Sequence, residues 1–320
     1  MSPEVSPPSE EAAYARAASQ PVLVVTGPTA TGKTALAVAL CRRFNGEVVS
    51  VDSRQVYRGL DLGTGKDLAE YGVGADAVPY HLIDVVAPGE RFDLHHFVQQ
   101  ARKAIADIRQ RGRLPVLCGG TPLYLTALLR GYALEGGAPD LAERSRLEAL
   151  DTPALLAELR ACAPPALLER TDTTQRRRIV RAIEIARSGL AVNPPPPLSN
   201  TLVLAPLYTR AEVRERIRVR LEQRLEAGML DEVARLHDEG LSWEALDWLG
   251  LEYRFIARHL SGALSYDEMH DQLLNHIRQF AKRQDIWFRR LERDGVRIHW
   301  LPHGDIAEAE RLTQEWLSFN

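Results

Sequence analysis

The sequence contains no apolar run of about 18 residues, so nothing in it reads as a membrane-spanning helix. Cysteine is scarce. Cys41, Cys118 and Cys162 lie far apart, with no CxxC pair and no neighbouring pair of histidines, which argues against a zinc site. Cys41 and Cys118 sit in apolar stretches and are expected to be packed, unpaired thiols, as suits a reducing cytoplasm. The chain also lacks a basic start followed by an apolar stretch. Its first 20 residues, rich in Pro, Ser, Glu and Ala, read as a disordered tail and not as a signal peptide. Net charge is small, at −3, so a nucleic-acid partner would have to be held by local patches. Lysine is nearly missing. The basic residues are almost all arginine, the better group for phosphate recognition.

What is present is enough for one large domain or two modest ones: 320 residues, 45% of them hydrophobic. Short apolar runs at Val22–Thr26, Glu47–Val51, His81–Val86 and Leu114–Cys118 alternate with helical spacing at Ala35–Phe44, Asp93–Arg111 and Leu123–Arg130. Such alternation predicts an α/β fold with a parallel sheet flanked by helices. The core is expected over 21–135, completed by strands near 202–207 and 296–301. Segments 136–200 and 211–290 read as an added, largely helical region, with one long helix over Ala211–His237. The run Asn193-Pro194-Pro195-Pro196-Pro197 reads as a stiff connector.

Gly27-Pro28-Thr29-Ala30-Thr31-Gly32-Lys33-Thr34 matches the phosphate-loop pattern, with a strand before it and a helix after it. Backbone N–H groups and the helix N-terminus would hold a di- or triphosphate. Lys33 would add a point charge, and the Thr34 hydroxyl could ligate Mg²⁺. The core therefore reads as P-loop NTPase-like. Asp52, Asp84 and Gly119-Gly120-Thr121 also fall at the carboxyl ends of strands, where ligands of such sheets bind. Asp52 is a candidate base or metal ligand, the blander alternative being a helix cap. Asp84 is a second candidate for the metal, and pattern alone does not choose between them. Thr121 can bring a hydroxyl close to a ligand, or cap the next helix.

Together with that loop, five further segments resemble, in order, the motifs of the tRNA dimethylallyltransferases. They are Val51-Asp52-Ser53-Arg54-Gln55-Val56-Tyr57-Arg58-Gly59, His81-Leu82-Ile83-Asp84, Gly119-Gly120-Thr121-Pro122-Leu123-Tyr124, Arg181-Ala182-Ile183-Glu184 and Phe280-Ala281-Lys282-Arg283-Gln284. The resemblance implies that dimethylallyl diphosphate sits on the loop with Mg²⁺, and that adenosine 37 in the anticodon loop of tRNA accepts the dimethylallyl group at N6. It implies Asp52 as general base and Thr121 as the donor to the breaking diphosphate oxygen. It also implies tRNA contacts from Asp52, Ser53, Arg54 and Gln55, and from Gln175, Arg176, Arg177, Arg178 and Arg181. The blander reading of that arginine run is a solvated helix face. Arg278, Lys282, Arg283, Arg289 and Arg290 form a second basic patch, whereas Arg214, Arg218, Arg220 and Arg224 read as pairing with glutamates along their own helix. Trp287 and Phe288 read as core. A cytoplasmic monomer is expected.

The chain departs from the family pattern at Gly65-Lys66-Asp67, where Ala-Lys-Pro is usual, and at Leu249-Gly250-Leu251-Glu252-Tyr253-Arg254, where Gly-Tyr is usual. Both departures are expected to bear on the RNA side and not on the diphosphate site. Three rivals remain: an isopentenyltransferase acting on free AMP, ADP or ATP, a small-metabolite kinase, and an RNA-binding protein with a vestigial loop.

Overall fold

The computed structural model describes residues 20–131, 140–188 and 196–319. Six strands form one parallel sheet: β1 (Val22–Val25), β2 (Gly46–Ser50), β3 (Tyr80–His81), β4 (Leu114–Cys118), β5 (Thr201–Leu207) and β6 (Ile298–Pro302). Their order is β3-β2-β4-β1-β5-β6. β1 lies at the centre, with Val24 in register with Leu117 of β4 and Val203 of β5. Its four residues are all buried, as an uninterrupted Val/Leu run requires when helices cover both faces.

Between the strands run α1 (Lys33–Phe44), α2 (Leu94–Gln110) and α3 (Pro122–Arg130). Asp93 caps α2 by accepting the N–H groups of His95 and His96, and Phe97, Ala101, Ala104, Ile105 and Ile108 form its buried stripe. Leu36, Leu40 and Cys41 of α1 pack with Leu23, Val48 and Val116 of the sheet. Each such buried Leu or Val contributes about 2 kcal/mol.

The described residues form two compact units. One takes residues of Met1–Leu129 and Leu198–Asn320, the other those of Arg130–Pro197. The second unit is helical: α4 (Leu141–Ala149), α5 (Thr152–Cys162), α6 (Pro165–Arg170) and α7 (Arg176–Ser188) close on Leu147, Leu155, Leu159, Ile179 and Ile183. The first unit adds α8 (Arg210–Glu226), α9 (Met229–Asp238), α10 (Trp243–Leu249), α11 (Leu251–Leu260), α12 (Tyr266–Arg293) and α13 (Ile306–Ser318). Helices expected to stand apart with 136–200 thus cluster with the sheet.

Two elements differ from expectation. The run His81–Val86 is strand only at Tyr80–His81, because Leu82 and Asp84 take positive φ (62° and 57°) and turn the chain away. The single helix expected over Ala211–His237 is two, broken at Gly228, whose φ of 97° ends one helix and starts the next. The tail and residues 193–195 of the proline run lie outside the described residues.

Candidate active site

Three loops meet beyond the carboxyl ends of β1, β2 and β4. The phosphate loop links β1 to α1, with Gly27, Ala30 and Gly32 at positive φ. Lys33 Nζ donates to the Pro28 carbonyl at 2.7 Å, and Thr31 Oγ1 donates to the same oxygen at 2.9 Å. Burial pushes the Lys33 ammonium down from 10.5 to about 8. The first N–H groups of α1 have no partner within the helix by position, which makes this end an anion seat.

Asp52 follows β2. Its Oδ1 accepts the N–H groups of Arg54 (2.8 Å) and Gln55 (3.4 Å), so it caps a turn and not a helix. Among the described residues Oδ2 has no hydrogen-bond partner, which leaves one carboxylate oxygen for a ligand. Thr121 follows β4, and its Oγ1 accepts the Ser53 N–H at 3.0 Å. The hydroxyl proton remains for a further acceptor. Gly119 is required here, because a Cβ would overlap the Val51 carbonyl. Asp52 and Lys33 are close enough to influence each other electrostatically.

The family model described as IPP transferase matches residues 55–291, and the one described as isopentenyl transferase matches residues 20–74. The chain is 47% identical over 296 residues to tRNA dimethylallyltransferase 2 of Pelobacter propionicus, covering 91% of this chain and 93% of that one. To tRNA dimethylallyltransferase 1 of Geotalea daltonii it is 49% identical, over 91% and 94% of the two chains. The chain belongs to the tRNA dimethylallyltransferases. Its structure is similar to that of the full-length tRNA isopentenylpyrophosphate transferase from Bacillus halodurans, with a TM-score of 0.67, 32% identity and coverage of 93% and 96%.

Against that family background, several residues take parts that spacing did not disclose. A cleft of about 530 Å³ opens beside Lys33 and Thr34, and α8 lines it with Arg216, Arg220 and Arg224, one turn apart each. Arg218 pairs with Glu215 and Glu222, as the sequence suggests. Arg220 and Arg224 do not pair along the helix; both reach Asp67, Arg224 at 3.3 Å. Arg216 Nε donates to the Ala30 carbonyl of the phosphate loop at 2.7 Å. Helical spacing showed that glutamates were within reach, but not which arginines face the cleft.

Asp84 lies in a left-handed turn with its carboxylate taken by the buried Lys66, which also donates to Asp61 (2.6 Å) and to the Tyr57 carbonyl (2.9 Å). Gln55 spends both ends of its amide within the protein, accepting from Ser50 Oγ (2.8 Å) and donating to the Gly65 carbonyl (3.0 Å). Ser53 is half-buried and Arg54 exposed beside Asp52.

Both departures from the family pattern converge on this loop. Asp67 borders the cleft with Lys33, so it is not confined to an RNA side. A Cβ on Gly65 (φ 63°) would overlap the Arg224 guanidinium, and one on Gly63 would fall on the Tyr253 ring. Glu252 flanks Arg224, and burial raises its carboxyl. Tyr253 donates its phenol to Glu232 at 2.7 Å, and Glu232 also accepts the N–H groups of Asp61, Leu62 and Gly63 at 2.7–3.0 Å.

In the helical unit, α7 starts at the arginine run. Arg176 donates to the carbonyls of Glu148 and Leu150, Arg178 pairs with Asp172 at 3.0 Å, and Arg181 pairs with Glu184 at 3.0 Å. Arg177 is exposed and, among the described residues, meets only the Gln175 side chain, at 3.4 Å. On α12, Lys282, Arg283, Arg289 and Arg290 are exposed, while Phe288 is buried and Trp287 half-buried. Cys41 and Cys118 are buried free thiols.

For a cation, the cleft offers the Thr34 hydroxyl next to Lys33, with the Glu70 carboxylate on its wall; Asp67 is taken by Arg220 and Arg224. This all-oxygen donor set suits a hard ion such as Mg²⁺. No group of three His, Cys, Asp or Glu among the described residues could hold a metal alone. The residues therefore fit an ion carried largely by a phosphate ligand.

Proposed function

We propose that this chain transfers the dimethylallyl group of dimethylallyl diphosphate to the N6 amine of adenosine 37 in tRNA and releases diphosphate. The observation that carries the reading is the juxtaposition of Asp52, Thr121 and the phosphate loop. One free carboxylate oxygen and one free hydroxyl proton stand at the ends of neighbouring strands, tied together through the Ser53 N–H.

The exocyclic amine of adenine is a weak nucleophile and diphosphate leaves slowly, so both partners need help. The diphosphate lies on the N–H groups at the start of α1 and against Lys33, with the arginines of α8 on the cleft wall. Mg²⁺, held by Thr34 and phosphate oxygens, would neutralise part of the diphosphate charge. The amine nitrogen forms its bond to the allylic carbon as the carbon–oxygen bond breaks, and that electron pair leaves with the diphosphate. Thr121 donates its hydroxyl proton as a hydrogen bond to the departing oxygen, while Lys33 balances the developing charge. Asp52 Oδ2 takes the amine proton.

Ser53 and Arg54 are the nearest groups to touch the target nucleotide. Gln55, its amide committed elsewhere, holds them in place. Gln175, Arg176, Arg177, Arg178 and Arg181 supply phosphate contacts, with Arg177 the most available. The adenosine must be unstacked from the anticodon loop, at a cost of roughly a few kcal/mol. The buried thiols are in keeping with a cytoplasmic protein, and we expect it to act as a monomer.

Transfer of labelled dimethylallyl diphosphate to unmodified tRNA, with AMP and ATP as parallel acceptors, tests this reading. Asp52→Ala should lower transfer to tRNA by roughly 10²–10⁴-fold, the usual worth of a general base. Label in the free nucleotide alone would make the chain an adenylate isopentenyltransferase. Full activity in Asp52→Ala would remove Asp52 as base.

A further inference from the structure

Of the three arginines on the cleft wall, Arg220 and Arg224 are committed to Asp67. Arg216 is tied by one atom: its Nε donates to the Ala30 carbonyl at 2.7 Å. Among the described residues its two Nη groups have no hydrogen-bond or ion-pair partner. A Cβ on Gly32 would lie 3.6 Å from Nη2. The open edge of this guanidinium therefore stands beside the first turn of α1, where the N–H groups of the loop gather.

A ring holds that edge in place. Tyr208 is half-buried between β5 and α8, and Arg216 Cζ lies 4.5 Å from the centroid of its ring. The ring is fixed at its far end. Its phenol donates to the His303 carbonyl at 2.9 Å, and the His303 ring meets it edge-on, 5.4 Å away at 72°. His303 Nε2 in turn lies 3.0 Å from Glu212, in the first turn of α8. A cation over an aromatic face is attracted by the ring quadrupole, and the contact restricts a long, rotamer-rich side chain. The Ala30 carbonyl and the Tyr208 ring together occupy Nε and one face of Arg216, which leaves the Nη edge for a ligand. That order exists before an anion arrives, so binding does not have to supply it.

We infer that Tyr208 is a positioning residue for diphosphate: its ring holds the Arg216 guanidinium against the phosphate loop and presents the Nη groups to a phosphate oxygen. This rests on the reading that a diphosphate occupies the loop. Tyr208 acts through Arg216 and by its ring. Its phenol is committed to His303, and it is not among the residues that line the cleft.

The test is calorimetric titration of the full chain with inorganic diphosphate and Mg²⁺. Tyr208→Phe keeps the ring and should bind within about twofold of wild type. Tyr208→Leu and Tyr208→Gln, read in whichever shows a cooperative thermal transition, should raise Kd by roughly 3- to 20-fold, the range of a cation–ring contact. A double-mutant cycle separates positioning from a merely structural part. In an Arg216→Met background, removing the ring should change Kd by less than about twofold, because the ring then has no guanidinium to hold. An unchanged Kd in the folded Leu or Gln variant would overturn the inference. So would a Phe variant as weak as these, or an equal loss with Arg216 already gone. Lys33→Met serves as the marker for the loop. Diphosphate binding that ignores Lys33→Met, or is absent from wild type, would instead sink the loop reading and the inference with it.

Discussion

Burial pushes the Lys33 ammonium down from its ordinary 10.5 to about 8. Diphosphate needs the ammonium, so its affinity should fall as pH rises through about 8. Lys33→Arg should move that inflection out of range, since a guanidinium stays charged. Titration of the Kd for diphosphate between pH 7 and pH 10 would show either outcome. The same residue affects stability with a definite sign. Between about 8 and 10.5 the unfolded chain binds more protons at Lys33 than the folded chain, so this group makes stability rise with pH across that window. Urea unfolding of wild type against Lys33→Met should show the difference. At this scale much was legible. The loop, Asp52 and Thr121 could be singled out as candidates because each chemistry needs a residue type at a strand end, and the structure brings them together there. Arg216 could not, since nothing in its neighbours distinguishes it from Arg218, which pairs along the helix.

Glu232 shows what one element can do for another. From α9 it gathers three backbone N–H groups of the loop Asp61–Gly63 and the phenol of Tyr253 on α11. Glu232→Ala would strand all four donors in a buried place, and should cost roughly 3–5 kcal/mol in urea unfolding. A change below about 1 kcal/mol would show that water replaces the carboxylate. No spacing rule announces this residue, because a glutamate in the first turn of a helix is ordinary there. Elements themselves were easier. The strands around β1 were found within a residue or two from apolar runs. What failed was sensitive to single backbone angles: Gly228 splits a helix whose side-chain periodicity continues across it, and Leu82 with Asp84 ends β3 where the apolar run goes on.

On the scale of the whole molecule, the candidate site lies in one unit and the arginine run of α7 in the other. If α7 meets tRNA phosphates, Arg177→Ala should weaken tRNA binding and reduce the slope of log K against log salt by about 0.7–0.9. The KM for dimethylallyl diphosphate should stay as it was. An unchanged slope would return α7 to the status of a solvated face. Net charge alone gave no hint of an RNA partner, since the acids that offset these arginines are their own intramolecular partners: Asp172 for Arg178 and Glu184 for Arg181. Nor could the sequence show that the arginines of α8 complete a loop near residue 30. Contacts so far apart along the chain leave no local period.

The meeting of Gly65 with Arg224 also couples two segments that lie far apart along the chain. A Cβ at position 65, where the backbone is left-handed, would fall on the guanidinium that binds Asp67, so a side chain there would push Arg224 off that carboxylate. The two positions therefore behave as one choice made twice, and a change at either is felt at the other.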